Sequence, residues 1–114
     1  MQNETKSIPV LLEDWNAIKD ELEDLYKNRD LKNTLGLMEK GINLYIHFLF
    51  MSNEQPVEAP IPYQHLMCKP VNLEERLTFI QFRPSLYQSY RQLCELILEQ
   101  EKIYVRQQIK KKSF

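Results

Sequence analysis

The chain has 114 residues, of which 43% are hydrophobic and 27% are charged, as is usual for one soluble globular domain with a modest core. Its formal net charge of -1 gives no overall attraction to nucleic acid or to anionic membranes. With only 2 glycines, the sequence contains neither a GxGxxG nor a GxxxxGK nucleotide-binding loop. We therefore predict a single domain, residues 1–114, without a cofactor.

The amino-terminal segment predicts a lead-in followed by an amphipathic helix. Residues 1–9 are mostly polar and lack the apolar core of a signal peptide, so we expect a flexible lead-in and a cytoplasmic protein. Over residues 10–27, apolar side chains recur at alternating four- and three-residue steps, which predicts helix 1 with a narrow seam. Trp15, the only tryptophan, lies on this seam and is expected to anchor the core.

Residues 31–52 are the most apolar stretch and predict a central helix 2, which the other helices must cover. Asp30 is the expected N-cap, and the short link before it favours an antiparallel hairpin of helices 1 and 2. Gly36 and Gly41 lie inside this predicted helix, where each glycine lowers helix stability by about 1 kcal/mol relative to alanine. Close approach of a neighbouring helix is the favoured explanation, and a kink is the alternative. The predicted inner stripe consists of Leu31, Leu35, Met38, Ile42, Tyr45, Ile46 and Leu49.

Residues 53–71 contain four prolines and predict a long irregular crossover. The segment also carries apolar side chains that a free linker would not need, among them Tyr63, Leu66 and Met67. Two interpretations stay open: these side chains pin the crossover to the helices, or the crossover lines a groove or presents a surface for a partner.

Two further helices follow the crossover. Asn72 with Glu75, and Ser85 with Gln88, have the spacing of capping boxes, and Pro84 separates the two helices. Helix 3 should bury its inner face with Phe79 and Phe82 beside it, and helix 4 should extend over residues 86–111. The predicted fold is all-α: a four-helix, mostly antiparallel bundle with a long Pro-rich crossover between helices 2 and 3. The apolar positions of helix 4 are Leu86, Tyr87, Tyr90, Leu93, Cys94, Ile97, Leu98, Tyr104, Val105 and Ile109.

The carboxy-terminal half resembles the YpoC-like family of small bacterial, mainly Gram-positive, proteins of uncharacterised function. The resemblance implies an all-α cytosolic bacterial protein and supplies no catalytic residue. It rests on Val71-Asn-Leu-Glu-Glu-Arg-Leu-Thr-Phe-Ile, on Arg83-Pro84, on Tyr90-Arg-Gln-Leu-Cys-Glu-Leu-Ile and on Glu101-Lys-Ile-Tyr104.

Few residues have the spacing that catalysis or metal binding needs. His65-x-x-Cys68 is half of a zinc motif, and His47 and Cys94 are the only other histidine and cysteine. His47 lies in the apolar half of helix 2, where a lone histidine is usually a buried or half-buried residue bonded to a nearby backbone or side-chain group. We therefore predict no catalytic and no metal site; an enzyme would need a concave pocket around His47 or His65 with a carboxylate in reach.

The charges are distributed unevenly along the chain, and this distinguishes its two ends. Residues 1–30 hold eight acids and four bases, whereas residues 100–114 hold one acid and five bases. The basic end, which continues into a tail at residues 110–114, either complements its helix dipole near the acidic helix 1 or contacts phosphates. The candidate phosphate contacts are Arg106, Lys110, Lys111 and Lys112.

The leading prediction is a small non-enzymatic interaction or accessory protein of the bacterial cytoplasm, with a protein partner and no membrane association. Nucleic-acid contact through the basic end is the alternative. Within the family-like motif, Glu74 and Arg76 either bind the partner or pair on the surface. The candidate partner-binding residues are Tyr63, Leu66, Met67, Glu74 and Arg76.

Overall fold

Four α-helices make up most of the computed structural model, which describes residues 7–112. They are α1 (Ile8–Lys27), α2 (Leu35–Ser52), α3 (Leu73–Phe82) and α4 (Tyr87–Lys111). Two 3-10 turns, Leu31–Asn33 and Tyr63–His65, lie in the connections. The all-α, four-helix prediction is confirmed.

The contacts between helices give their directions. Tyr26 of α1 donates its hydroxyl proton to the carbonyl oxygen of Ser85 just before α4, at 3.0 Å, and Glu23 accepts from Tyr90, so α1 and α4 run antiparallel. Pairs between α2 and α4 advance together along both helices, from Tyr45 with Gln100 to Glu54 with Lys111, so these two are parallel. The crossover stays at the end of α2, where Cys68 is bonded to Asn53. The short helix α3 makes the parallel pair possible, because it runs antiparallel to α4, from Arg76 beside Glu99 to Arg83 beside Ser89, and so returns the chain to the end where α4 begins.

The core is formed where α2 is covered by α1 and α4, as the apolar pattern of residues 31–52 predicts. Tyr45, Phe48, Leu49 and Phe50 are all fully buried. Trp15 of α1 is only 4% exposed and lies against Gly41, where an added Cβ would be 2.8 Å from the Cζ3 atom of the indole. The expected close approach is thus confirmed at Gly41.

Three details of α2 differ from the prediction. The α-helix begins at Leu35, after a 3-10 turn that Asp30 stabilises by accepting from the Asn33 amide at 2.8 Å, so Asp30 does not cap α2. Leu31 and Leu35 are 50% and 43% exposed, because they lie at and before the first turn, where the chain has not yet entered the core. A Cβ added at Gly36 would meet nothing within 4 Å, so close packing does not explain this glycine.

The start of α1 and both predicted side-chain caps also differ from the prediction, whereas α3 and α4 begin within one residue of it. α1 begins at Ile8 with Ser7 as its N-cap and proline in its first turn, where proline is tolerated; the rest of the predicted lead-in, residues 1–6, lies outside the described residues. The two predicted capping boxes are wrong, because neither Asn72 nor Ser85 caps a helix with its side chain. Asn72 is left-handed, with φ 58°, so its side chain is not placed for the cap. Phe79 and Phe82 are 39% and 77% exposed instead of flanking the core.

Candidate interaction surface

The crossover is bonded to the end of α2 by an asparagine side chain that pairs with a backbone N–H and a backbone carbonyl. Asn53, directly after α2, donates its amide to the carbonyl oxygen of Cys68 at 2.9 Å and accepts from the Cys68 backbone N–H at 2.8 Å. The same amide nitrogen also donates to the Leu49 carbonyl oxygen at 2.7 Å. These bonds satisfy both backbone groups of Cys68 and fix its position on the end of α2.

A fully buried glutamine of α4 makes a second attachment at the same point. The Gln100 amide nitrogen donates to the Cys68 carbonyl oxygen at 2.9 Å, and its amide oxygen accepts from the Tyr45 hydroxyl at 3.0 Å. Gln100 and Tyr45 are both 0% exposed, and burial raises the pKa of Tyr45 far above its ordinary value. One polar network therefore connects α2, the crossover and α4 in the interior.

Met67 projects from this anchored backbone into solvent. Its side chain is 91% exposed, whereas its neighbours Leu66 and Cys68 are 1% and 8% exposed. Four residues later, Val71 is 76% exposed. Two apolar side chains are thus exposed on either side of Cys68, whose main chain is bonded to Asn53 and Gln100.

Arg76 fixes the other end of this surface. Its guanidinium donates to both carboxylate oxygens of Glu99 at 3.0 and 2.8 Å, to the Gln92 side chain at 3.1 Å and to the Val71 carbonyl oxygen at 3.1 Å. The pair with Glu99 raises the pKa of Arg76 and lowers the pKa of Glu99. Arg76 therefore holds α3 and Val71 against α4, with most of its donors already used.

The five predicted partner-binding residues have different environments. Leu66 is part of the core and offers no surface to a partner, so the first interpretation of the crossover, attachment to the helices, holds for it. Tyr63 is half-buried, and Arg76 is occupied by α4. Met67 and Glu74 are exposed. Val71, which the sequence reasoning missed, joins them, and we call Met67, Val71 and Glu74 the crossover surface.

A cleft lies between α1, α2 and the crossover. This cleft has a volume of about 740 Å³, and His47 lines it. His47 is exposed rather than buried or half-buried as expected, because it lies on the side of α2 that faces the cleft. Its Nδ1 atom is 2.9 Å from the Asn43 carbonyl oxygen, and since a carbonyl only accepts, Nδ1–H donates. His65 and Cys68, the half zinc motif, lie in the crossover, with His65 exposed and Cys68 buried. The cleft is lined by Leu11, Asp14, Ala17, Ile18, Lys40, Asn43, Leu44, His47, Met51, Gln55, Pro56 and Val57.

The basic end of α4 is divided in its contacts. Lys111 forms an ion pair with Glu54 at the end of α2, rather than with the acidic helix α1. Arg106, Lys110 and Lys112 are exposed. Within residues 7–112, no helix is long and apolar enough to cross a bilayer.

The structure thus defines a small all-α bundle protein whose crossover is bonded to Asn53 and Gln100 and exposes Met67. The model of the YpoC-like protein family matches residues 5–112, and the chain belongs to that family. It is also 33% identical over 102 residues to the "Uncharacterized protein YpoC" of Bacillus subtilis (strain 168). That match covers 85% of this chain and 62% of the relative, so the chain spans less than two thirds of the relative's length. No solved structure matches the chain.

Proposed function

We propose that this chain is a small non-enzymatic interaction protein of the bacterial cytoplasm, and that its crossover surface binds a protein partner. The observation that carries the proposal is Met67, 91% exposed between two buried neighbours. A single exposed apolar side chain is ordinary, but Met67 and Val71, 91% and 76% exposed, lie four residues apart in the chain, and grouped apolar side chains mark interaction sites. Because the Cys68 backbone is held by Asn53 and Gln100, little backbone entropy is lost when a partner covers Met67, and the remaining entropic cost is that of the methionine side chain.

The charges beside Met67 and Val71 indicate the kind of partner. Glu74 and Glu75 lie exposed in the first turn of α3, three and four residues after Val71. The base between Met67 and Val71, Lys69, is half-buried and donates to the Leu66 carbonyl oxygen at 2.6 Å. A complementary surface would have an apolar pocket for the methionine and a basic rim for the two carboxylates. Methionine suits such a pocket, since its unbranched thioether adapts to the shape it enters.

A photo-crosslinking amino acid at position 67, introduced in the native host, tests the proposal. The expected result is one protein adduct that survives nuclease treatment. With that partner purified, Met67→Asp should weaken binding at least about tenfold, as truncated interface anchors do. Leu31→Asp is the matched control, because Leu31 is also exposed but lies in the link between α1 and α2. Equal binding by the Met67→Asp variant and the wild type would refute the role of the crossover surface.

The alternative function, phosphate contact, is supported by the exposure of Arg106, Lys110 and Lys112. The same experiment separates it from the first. Adducts that disappear with nuclease, together with binding that weakens steeply as salt rises, would favour nucleic acid.

A further inference from the structure

The carboxy-terminal half of α4 has an apolar stripe on the side away from the core. The inner face of the helix buries Leu93 and Gln100, at 0% exposure. On the opposite side, Leu98, Val105 and Ile109 are 56%, 49% and 61% exposed. A surface helix of a monomer normally places polar residues there.

The stripe has the spacing of a two-helix seam. Glu95, Leu98, Lys102, Val105, Ile109 and Lys112 follow one another at alternating three- and four-residue steps. This is the a/d repeat by which a second helix packs against the first. Over residues 95–112 the seam is about 26 Å long at 1.5 Å per residue, and a single lysine stands inside it, as coiled coils use to select register.

The charges along α4 indicate which helix would fit. The exposed acids Glu95 and Glu99 lie toward the start of the seam, with side chains 53% and 41% exposed. The bases Lys102, Arg106, Lys110 and Lys112 all follow. A parallel copy of α4 would bring Lys102 against Lys102 and base against base. An antiparallel copy brings the acidic start against the basic end, at both ends of the pair.

We propose that two copies of this chain pair through antiparallel α4 helices. In the register that buries the most apolar surface, Leu98 of one copy lies opposite Ile109 of the other. The aliphatic stem of Lys102 then covers Val105, and Glu95 lies opposite Lys112 at each end of the seam. Arg106 lies on the flank beside Glu99 of the second copy. The contact is isologous, because each pair occurs twice about a two-fold axis.

The size of this contact determines its strength. A stable interface buries roughly 800 Å² per partner, which one helical seam of this length does not reach. The dimer should therefore be weak and dependent on concentration. It should also weaken with salt, since the pairs at its ends are solvent-exposed.

Sedimentation equilibrium of the whole chain over a wide concentration range tests the pairing, with far-UV circular dichroism to verify folding. Val105→Asp should raise the dissociation constant at least about tenfold, because the change enters the seam twice. Val57→Asp is the matched control, since Val57 is also 49% exposed but lies in the crossover. It should leave the dissociation constant unchanged.

A charge exchange tests the direction of the helices. Glu95→Lys alone places two lysines together at each end of the seam, and Lys112→Glu alone places two glutamates together; each should weaken the dimer. The double variant restores opposite charges and should recover most of the affinity, which a parallel pair would not do. Glu95 is 3.8 Å from Arg76, so Glu95→Lys also places a cation beside that guanidinium, and circular dichroism must first verify that each variant keeps the helical content of the wild type.

Three results would overturn the proposal. One is a monomer at every concentration, including one that instead binds an acidic peptide or an anionic vesicle. Another is a dimer that Val105→Asp leaves intact. The third is a double variant no stronger than either single exchange.

Discussion

The two glycines of α2 provide a paired test of the packing. In a helix interior, Gly→Ala stabilises by about 1 kcal/mol through backbone entropy. At Gly41, however, the new Cβ would lie 2.8 Å from Cζ3 of Trp15 and 3.1 Å from a Leu93 methyl. Overfilling a packed core costs about 1–3 kcal/mol, and an indole only 4% exposed has little room to move. We therefore expect Gly41→Ala to destabilise the fold by about 1–2 kcal/mol.

Gly36→Ala is the control, because its Cβ meets nothing within 4 Å. Close to the start of α2 it should stabilise by about 0.5–1 kcal/mol, so the two substitutions should differ in sign. Urea unfolding, followed by Trp15 fluorescence and by circular dichroism, measures both free energies. In a thermal scan, each kcal/mol should shift Tm by about 4–8 °C.

The substitution Trp15→Phe tests whether the contact with the indole is the reason that Gly41→Ala destabilises the fold. The smaller ring removes the close atoms, so Gly41→Ala should cost less in that background, with circular dichroism replacing the lost fluorescence. If Gly41→Ala stabilises the protein as much as Gly36→Ala does, the packing of α1 on α2 described above is wrong.

Two further predictions concern the buried polar network. Gln100→Ala leaves the Tyr45 hydroxyl and one bond of the Cys68 carbonyl unmade, and should cost about 2–4 kcal/mol in urea unfolding, against about 1–2 kcal/mol for Tyr45→Phe. A Gln100→Ala variant no less stable than Tyr45→Phe would contradict the network. Burial raises the pKa of Tyr45 in the folded state. The contribution of the protonated Tyr45 hydroxyl to stability is therefore complete below the pKa of tyrosine in the unfolded chain, and it is lost as pH rises above about 10. Unfolding free energies between neutral and alkaline pH should therefore fall less steeply in Tyr45→Phe than in the wild type; equal slopes would refute this linkage.

The sequence predicts the helices and the core of this protein well, because both follow from periodicity. Trp15, Met38 and Leu93 lie where a 3.6-residue repeat places them, and all are buried. The starts of α3 and α4 are also predicted to within one residue, but the side-chain caps are predicted poorly. A capping residue is recognised by type and spacing, but Asn72 takes a left-handed conformation that depends on how the crossover arrives at α3.

The candidate site is less accessible to sequence reasoning. Leu66 and Met67 are adjacent apolar residues in irregular backbone, where no period tells which one is buried, and only the bonds of Cys68 decide it. Gln100 could have been found. It continues the inner four- and three-residue spacing of Leu93, Ile97 and Tyr104, and a polar residue at such a position needs a buried partner.

The outer stripe of α4 shows the same limitation from the opposite side. Leu98, Val105 and Ile109 belong to the predicted apolar positions of helix 4 but lie on the other face from Leu93. Apolar composition alone groups the two sets together. The angle between the two sets around the helix shows that they lie on different faces. Only the structure shows which of these faces the bundle covers.

Both proposed contacts depend on α4, but on different sides of it. The crossover is attached to its inner side, through Gln100 and Cys68, whereas the seam occupies its outer side. A substitution at Val105 therefore changes no bond that holds Met67 in place, and a substitution at Met67 leaves the seam intact. If a Met67 variant loses the partner but still dimerises, and a Val105 variant loses the dimer but still captures the partner, the two contacts use separate surfaces. A single variant that abolished both would indicate instead that the partner recognises the paired form.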